Sequence, residues 1–412
     1  KKNPSNTKAI CSYIYFNCFL NIWSQKEFLE NAKILNDRLP LYSKKDLIKL
    51  KISKKQKINL AFISSDIRSN HSVTYFLKSV LVDCNFNEFN IFLYLNNEKE
   101  DQTTENFKKL VKNSKNIFNL KDVEAINMIR KDEIDIIIDL MGVTSNQRLA
   151  LFKNRLAPCQ INWCGYPNTT GLNEMDYIIA DKNLIYENEK EFYSEKIIFL
   201  NNIWNCHVGF NKKRVQYKLP FYKKKYFTFG SFNNFRKIND NVIDVWSSIL
   251  KKVANSRLIL KASDSASKLK ILEKFKKNDI IDSVEFLPYK KSFDEHLSEY
   301  NKIDLGLDTF PYNGVTTSFE SIWMNVPVLT MKGYNFNSRC GESINKNIKL
   351  DELIAQNNKD YIDKAVLLAF EKSRLEKIRD HIFKNAPESP LFNKKKFSND
   401  FFSSLKVLYN QV

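Results

Sequence analysis

The sequence LGLDTFPYNGVTTSFESIWMNVPVLT occupies residues 305–330 and contains the pattern on which the fold depends. The apolar run 305–308 predicts a strand, residues 317–324 predict a helix, and the run 326–330 predicts a second strand. Strands joined through a helix pair in parallel, because the helix carries the chain back to the same end of the sheet. This stretch therefore predicts one β-α-β unit of an α/β domain.

The same alternation of strands and helices extends outward from this unit. Further strands are predicted at 58–63, 89–95, 134–140, 160–163, 226–229, 258–261 and 284–287. Apolar runs of this kind are typical of strands that are buried on both faces, so we expect parallel sheets.

The alternation divides the chain into three predicted parts. Residues 1–55 form an N-terminal helical segment, residues 56–210 a first α/β domain, and residues 211–412 a second α/β domain with C-terminal helices. Both α/β domains are expected to be doubly wound, Rossmann-like folds. Two such domains in tandem predict a ligand cleft between them, at the carboxyl ends of their strands.

The composition of the 412 residues excludes several classes of protein. Hydrophobic residues make up 43% of the chain, and no apolar run approaches the roughly 20 residues that span a bilayer. The net charge of +18 favours anionic ligands, but only eleven of the 65 basic residues are Arg, so we do not expect nucleic-acid binding. Seven scattered Cys without zinc spacing predict reduced thiols in the cytoplasm and no metal site.

Glycine marks the candidate binding loops, because the chain contains only nine. Gly165 and Gly171 bracket the loop CGYPNTTG, Gly230 lies in FGSFNNFRKI, and Gly314 opens NGVTTSFESIW. Glycine is needed where a backbone turns tightly or approaches a ligand. These loops at strand ends predict anion-binding sites, although the sequence has neither the dinucleotide nor the P-loop glycine motif.

The loop that begins at Gly314 is the first candidate site. The N–H groups at the start of its helix can hold a diphosphate, and the hydroxyls of Thr316 and Thr317 add donors. One turn further on, Glu320 can accept ribose hydroxyls. The alternative interpretation is a Thr N-cap followed by an acid that the helix dipole favours.

The loop FGSFNNFRKI is the second candidate site. Lys237 follows it at a strand-to-helix connection, where an ammonium group can neutralise a leaving phosphate. Asn233 and Asn234 would add neutral donors. The alternative interpretation is one solvated side chain among 54 Lys.

Histidine supplies the candidate for proton transfer. His71, in ISSDIRSNHSVTYF, follows the first strand beside a helix start, which suits a general base or a contact to a sugar hydroxyl. A polar helix cap is the alternative. His296, in FDEHLSEY, is also compatible with an ordinary amphipathic helix, and His207 and His381 are expected to be structural.

Six longer motifs occur in one order: ISSDIRSNH, APCQINWCGYPNTTGLNEMDYIIAD, YSEKI, FGSFNNFRKIN, VANSRLILKA and LDTFPYNGVTTSFESIWMNVPVLTM. Together they resemble the catalytic region of glycosyltransferase family 41, which contains the protein O-GlcNAc transferases and the SPINDLY proteins. The likeness extends from about residue 58 to the end of the chain, and the segment 10–40 resembles the linker before those catalytic regions.

The resemblance implies a two-domain GT-B fold and an inverting transfer that requires no metal ion and no cofactor beyond a nucleotide-sugar donor. The acceptor it implies is a Ser or Thr hydroxyl of a protein or peptide. On the nucleotide side, the resemblance implies that Gly314, Thr316 and Thr317 bind the diphosphate and that Lys237 with Asn234 binds the phosphates. It implies that Glu320 binds the ribose and that His296 lies beside the base. On the sugar side, it implies a loop of Gly165, Tyr166 and Pro167, with His71 facing the reacting centre. A phosphate oxygen of the donor is the alternative base to His71.

Three positions leave the donor open. Animal O-GlcNAc transferases have Lys, Arg and His where this chain has Phe293, Glu299 and Val315, and those residues help to read uridine and the N-acetyl sugar. FGSFNN and GYPNTTG also resemble plant SPINDLY, which uses GDP-fucose. The expected function is therefore GlcNAc transfer from UDP-GlcNAc, with fucose transfer from GDP-fucose and sugar-nucleotide binding without turnover as alternatives.

Overall fold

The computed structural model describes residues 6–52, 54–261, 265–288, 290 and 292–411, without the side chains of 265–267. Residues 1–5 and 53 of the predicted N-terminal segment, and residue 262 of the motif VANSRLILKA, lie outside this part. The described chain forms two compact units. The first contains residues 6–17, 22–208 and 394–411, and the second contains residues 18–21 and 209–393.

The first unit is built on a parallel sheet with the strand order β3-β2-β1-β4-β5-β6-β7. Its strands are β1 (Ile58–Ser64), β2 (Phe89–Leu95), β3 (Asn113–Asn116), β4 (Ile136–Asp139), β5 (Cys159–Asn162), β6 (Tyr177–Ala180) and β7 (Lys196–Phe199). Its helices are Thr7–Asn17, Gln25–Arg38, Ser72–Leu81, Gln102–Leu110, Asp122–Lys131, Leu149–Lys153 and Lys394–Tyr409. Every residue of β1 is buried, as expected for a central strand of a parallel sheet.

The second unit has its own parallel sheet, in the order β10-β9-β8-β11-β12-β13. The strands are β8 (Phe227–Ser231), β9 (Ser256–Lys261), β10 (Val284–Leu287), β11 (Leu305–Leu307), β12 (Val328–Met331) and β13 (Ile354–Ala355). The helices are Pro220–Lys224, Asp240–Lys252, Ser265–Lys277, Phe293–Glu299, Thr316–Trp323, Phe336–Asn347, Asn358–Phe370 and Lys372–Asn385. None of the helices in the described residues of either unit combines the length and apolar character that a bilayer span requires.

Each sheet has one point where the strand order reverses. In the first unit the chain proceeds outward from β1 to β3 and resumes beside β1 with β4; in the second it proceeds from β8 to β10 and resumes with β11. Loops that follow the two central strands diverge there and leave a crevice, which is where ligands bind in open α/β sheets. The topology therefore predicts that ligand-binding loops follow β1 and β4 in the first unit and β8 and β11 in the second.

The predicted N-terminal segment contains the helices Thr7–Asn17 and Gln25–Arg38. Its helices pack within the first unit, where a Cβ atom on Gly171 would lie 2.3 Å from the carbonyl carbon of Ala32 and the Gln25 amide donates to Asn168 over 2.7 Å. The turn at residues 18–21 belongs to the second unit, because Phe19 stacks on Tyr312 with 5.0 Å between ring centroids.

The last helix of the predicted second domain, residues 211–412, lies in the other unit. The helix Lys394–Tyr409 belongs to the first unit. Its aromatic side chains pack there: Phe401 lies 4.8 Å from Trp163 and Phe402 lies 4.7 Å from Phe89, measured between ring centroids. The Ser398 hydroxyl also donates to the Val80 carbonyl over 3.0 Å. Sequence spacing predicted the helix, but its apolar face did not specify which sheet it would cover.

We predict that Phe401→Ala destabilises the first unit by about 3–5 kcal/mol, because it removes a fully buried ring and leaves a cavity. Val407 on the same helix is 57% exposed, so Val407→Ala should change the free energy of unfolding by less than about 0.5 kcal/mol. Denaturant unfolding of both variants tests this assignment. Equal, small losses would contradict the packing described for this helix.

Candidate functional site

A buried carboxylate organises the loop that follows β11. Asp308 is fully buried, and its Oδ1 accepts hydrogen bonds from the N–H groups of Gly314 (2.7 Å) and Thr309 (2.9 Å). Its Oδ2 accepts from the Thr330 hydroxyl over 2.8 Å. Burial raises the pKa of Asp308 to about 6, although these donors and the nearby Lys237 oppose the shift. The loop from 309 to 314 is thus folded around a carboxylate.

Asn233, from the loop after β8, connects this carboxylate to the predicted threonine pair. Its Nδ2 lies 3.3 Å from Asp308 Oδ1, so its Oδ1 faces away and accepts from the Thr317 hydroxyl over 2.8 Å. Because a carboxylate only accepts, the amide orientation is fixed. The Thr317 proton is therefore used within the protein. Among the described residues, no group accepts from the Thr316 hydroxyl, so the two threonines differ.

Gly314 is required by the close approach of these groups. A Cβ atom on this residue would lie 2.5 Å from the Thr317 hydroxyl and 2.8 Å from Asn233 Oδ1. The helix Thr316–Trp323 begins directly after this contact. The N–H groups of Ser318 and Phe319 donate to the Val315 carbonyl, whereas those of Thr316 and Thr317 have no acceptor among the described residues. Gly314, Thr316 and Thr317 therefore lie together at the start of this helix, and their binding of an anion stays a prediction.

Lys237 lies at the same loop. Its ammonium donates to the Asn313 carbonyl over 2.7 Å and lies 4.5 Å from the centroid of the Tyr312 ring. Burial lowers the pKa of Lys237 to about 8, against the opposing attraction of Asp308. Asn234, predicted to act with it, is exposed, and its side chain accepts from the Arg236 N–H over 3.0 Å.

Glu320, one turn into the helix, is held by a second set of contacts. Its Oε2 accepts from the Tyr300 hydroxyl over 2.8 Å and lies 3.0 Å from His296 Nε2. Lys261 Nζ lies 3.2 Å from His296 Nδ1. The predicted ribose and base residues, Glu320 and His296, are therefore direct neighbours.

Three positions differ from animal O-GlcNAc transferases: Phe293, Glu299 and Val315. Phe293 packs on His296, with ring centroids 5.8 Å apart. Glu299 forms ion pairs with Lys302 and Lys290 at 2.6 and 3.2 Å. Val315 is the residue that precedes the first turn of the helix Thr316–Trp323.

In the first unit, His71 precedes the helix Ser72–Leu81 without capping it through its side chain. Its Nε2 lies 3.4 Å from Asp66 Oδ1, and its Nδ1 is buried with no hydrogen-bond partner among the described residues. Burial lowers the pKa of His71, whereas the Asp66 carboxylate opposes that shift. The lowered pKa favours a neutral His71 imidazole, and the Asp66 carboxylate beside it would stabilise the protonated form.

The predicted sugar-side loop also lies in the first unit. Position 165 requires glycine, because a Cβ atom there would lie only 1.9 Å from the Leu140 carbonyl oxygen. Tyr166 and Pro167 are buried. The Asn162 amide donates to the Tyr166 and Asn168 carbonyls, which fixes the loop against β5. Packing and these hydrogen bonds position the loop.

The structure adds residues that spacing alone did not single out. They are Asp308, Asn313, Tyr300 and Lys261 in the second unit and Asp66 in the first. A signal existed for the two acids, because each follows a buried strand at a reversal of strand order. The described residues contain no group of three or more His, Cys, Asp or Glu that could hold a metal ion.

Comparison with known proteins identifies the family. The family model described as Glycosyl transferase family 41 matches residues 29–213 and 208–401. A tomato (Solanum lycopersicum) relative described as a probable UDP-N-acetylglucosamine–peptide N-acetylglucosaminyltransferase SPINDLY is 33% identical over 85% of this chain and 39% of its own length. An Arabidopsis thaliana relative with the same activity in its description, SEC, is 25% identical over 86% of this chain and 37% of its own. The chain thus spans about two fifths of these relatives.

A solved structure supports the fold. A mutant of the Thermobaculum terrenum O-GlcNAc transferase superposes with a TM-score of 0.91 at 24% identity, over 99% of this chain and 78% of that one. The α/β fold class expected from the resemblance, GT-B with two doubly wound domains, is confirmed. With the family model covering most of its length, the chain belongs to glycosyl transferase family 41.

Proposed function

We propose that this chain is an inverting, metal-independent glycosyltransferase that moves GlcNAc from UDP-GlcNAc to Ser or Thr hydroxyls of a protein. The observation that carries the proposal is the placement of Lys237 beside the loop that leads from Asp308 to Thr316. That loop ends in helix N–H groups, and together with the Lys237 ammonium these supply donors for a diphosphate. The similarity to SPINDLY and to O-GlcNAc transferases supports the same reading.

The leaving diphosphate is the group that this site would stabilise. As the glycosidic bond breaks, negative charge grows on the leaving phosphate, and preorganised donors lower the barrier most when they face that charge. The Lys237 ammonium, the first N–H groups of the helix Thr316–Trp323 and the Thr316 hydroxyl provide such donors. These donors supply the positive charge that a divalent cation provides in metal-dependent transferases.

His71 is the proposed base. A neutral imidazole can take the proton from the attacking hydroxyl, and Asp66 at 3.4 Å would stabilise the imidazolium that forms. Within the proposal, a phosphate oxygen of the donor is the alternative proton acceptor. Substitution of Asp66 separates them, because only the histidine route depends on that carboxylate.

A second donor, GDP-fucose, is favoured by one observation. Glu299 lies one turn after His296, where animal O-GlcNAc transferases have Arg. A carboxylate accepts hydrogen bonds from the N1–H and amino group of guanine, whereas uracil offers no such pair of donors. We propose the cytoplasm as the location of either activity, in keeping with seven cysteines that form no disulfide. The proposal includes neither a nucleic-acid partner nor a membrane span.

The experiment that tests the proposal is a transfer assay with mass spectrometry. The protein is incubated with UDP-GlcNAc or GDP-fucose and a library of Ser- and Thr-containing peptides, with Lys237→Met as the matched inactive control. We expect peptide modification from one donor and a turnover about 10²–10³-fold lower in the variant. Binding of a donor with no modification of any peptide or protein acceptor would favour the non-catalytic alternative.

The pH dependence of kcat/KM gives a second prediction. This ratio reports ionisations of the free enzyme. Lys237 acts as a cation, and burial lowers its pKa to about 8, so kcat/KM should fall as the pH rises through about 8. Lys237→Arg keeps its charge over this range and should lose the alkaline decline. An alkaline decline that persists unchanged in Lys237→Arg would assign it to another group.

The two threonines give a third prediction. Thr316→Val removes a hydroxyl that has no acceptor in the described protein, so it should weaken UDP or GDP binding about tenfold and leave stability unchanged. Thr317→Val leaves Asn233 Oδ1 without its donor and should cost about 1–3 kcal/mol of stability, with a smaller effect on affinity. Calorimetry and thermal unfolding of both variants test this division. The reverse pattern would show that Thr317 is the ligand donor.

A further inference from the structure

Glu320 is held by three side chains, Lys261, His296 and Tyr300, that are not among the predicted diphosphate-binding residues. We propose that Tyr300 and Lys261 are positioning residues that orient the Glu320 carboxylate toward the two hydroxyls of a ribose, and so set the preference for ribonucleotides. This inference rests on the proposed function, because it takes a nucleoside diphosphate as the ligand.

The series of hydrogen-bonded side chains begins at Lys261, at the end of β9. An ammonium group has donors only, so His296 Nδ1, 3.2 Å away, must be the acceptor. The proton of a neutral imidazole then lies on Nε2, which donates to Glu320 Oε2 over 3.0 Å. Lys261 thus selects the tautomer of His296 that can hold the carboxylate.

Tyr300 supplies the second donor. Its hydroxyl lies 2.8 Å from the same oxygen, Glu320 Oε2, and 3.2 Å from the Thr317 carbonyl oxygen. Both donors therefore act on one carboxylate oxygen. In the described part of the chain no group donates to the other oxygen, Oε1, so its lone pairs are available to a ligand.

Burial makes this orientation rigid. The exposed fractions are 3% for Tyr300, 8% for His296 and 5% for Glu320. The Phe232 ring packs against Tyr300 and His296, with centroid separations of 4.6 and 5.8 Å. A buried carboxylate is costly unless hydrogen-bonded, so the rotamer that keeps both donors is strongly favoured. Glu320 Oε1 is consequently held ready before the ligand arrives.

The chemistry of such an oxygen identifies the ligand group. A fixed carboxylate oxygen accepts from adjacent hydroxyls, as the 2′- and 3′-hydroxyls of ribose provide. A site built to accept from hydroxyls rejects an analogue that lacks them, because the buried acceptor is left without its donors. The protein should therefore bind a ribonucleotide more tightly than its 2′,3′-dideoxy analogue.

The test is the ratio of dissociation constants for UDP and 2′,3′-dideoxy-UDP, and for the two guanosine equivalents, measured by calorimetry on the whole chain. We expect wild type to prefer the ribonucleotide about tenfold to a hundredfold. Tyr300→Phe should reduce this preference for the ribonucleotide about two- to tenfold. Lys261→Met should also reduce it. Tyr222→Phe, an exposed tyrosine elsewhere in the second unit, is the matched control and should leave the ratio unchanged.

The ratio separates positioning from general support of the fold. If Tyr300→Phe weakened both nucleotides equally, the ratio would be unchanged and the inference would be overturned. If wild type bound both forms equally well, the inference would fail while the proposed function stood. Absence of binding by either pair of nucleotides would instead overturn the proposed function, and with it this inference.

Discussion

The buried carboxylate of Asp308 is the constraint on which the candidate site of the second unit depends. An ion removed from water costs several kcal/mol unless donors surround it, so the loop that follows β11 must keep its N–H groups directed at Asp308. That requirement fixes Gly314, and through Asn233 it fixes Thr317. The first turn of the helix Thr316–Trp323 is therefore placed by an internal anion before any external one binds.

The first unit uses the same device at its own reversal of strand order. Asp139 ends β4, is buried, and accepts from the N–H groups of Met141 and Gly142. Burial raises its pKa to about 6, as it does for Asp308. The sequences are alike, DLMGVT at 139–144 and DTFPYNGVT at 308–316. The longer loop of the second unit adds Asn313, whose carbonyl oxygen holds Lys237.

Much of the fold could be predicted from the sequence, because buried parallel strands have long apolar runs. The strands at 89–95 and 284–287 were predicted with the bounds that the structure has. Strand β3, with the sequence NSKN, was missed because an edge strand need not be apolar. Local patterns also predicted Gly314, Thr316 and Lys237 as candidates, and the structure places all three at the loop after β11. They could not give the contacts of Tyr300 and Lys261 with Glu320 and His296, or the unit that holds the C-terminal helix, since those depend on residues distant in sequence.

We propose that the loop organised around Asp308, with Lys237 as its cation, binds a diphosphate without a metal ion. The most direct measurement is calorimetric titration of UDP and GDP into the protein in EDTA, repeated with excess Mg²⁺. The account predicts binding of one nucleotide per chain in EDTA, with a dissociation constant that Mg²⁺ leaves essentially unchanged. Binding that occurs only when Mg²⁺ is present would contradict it.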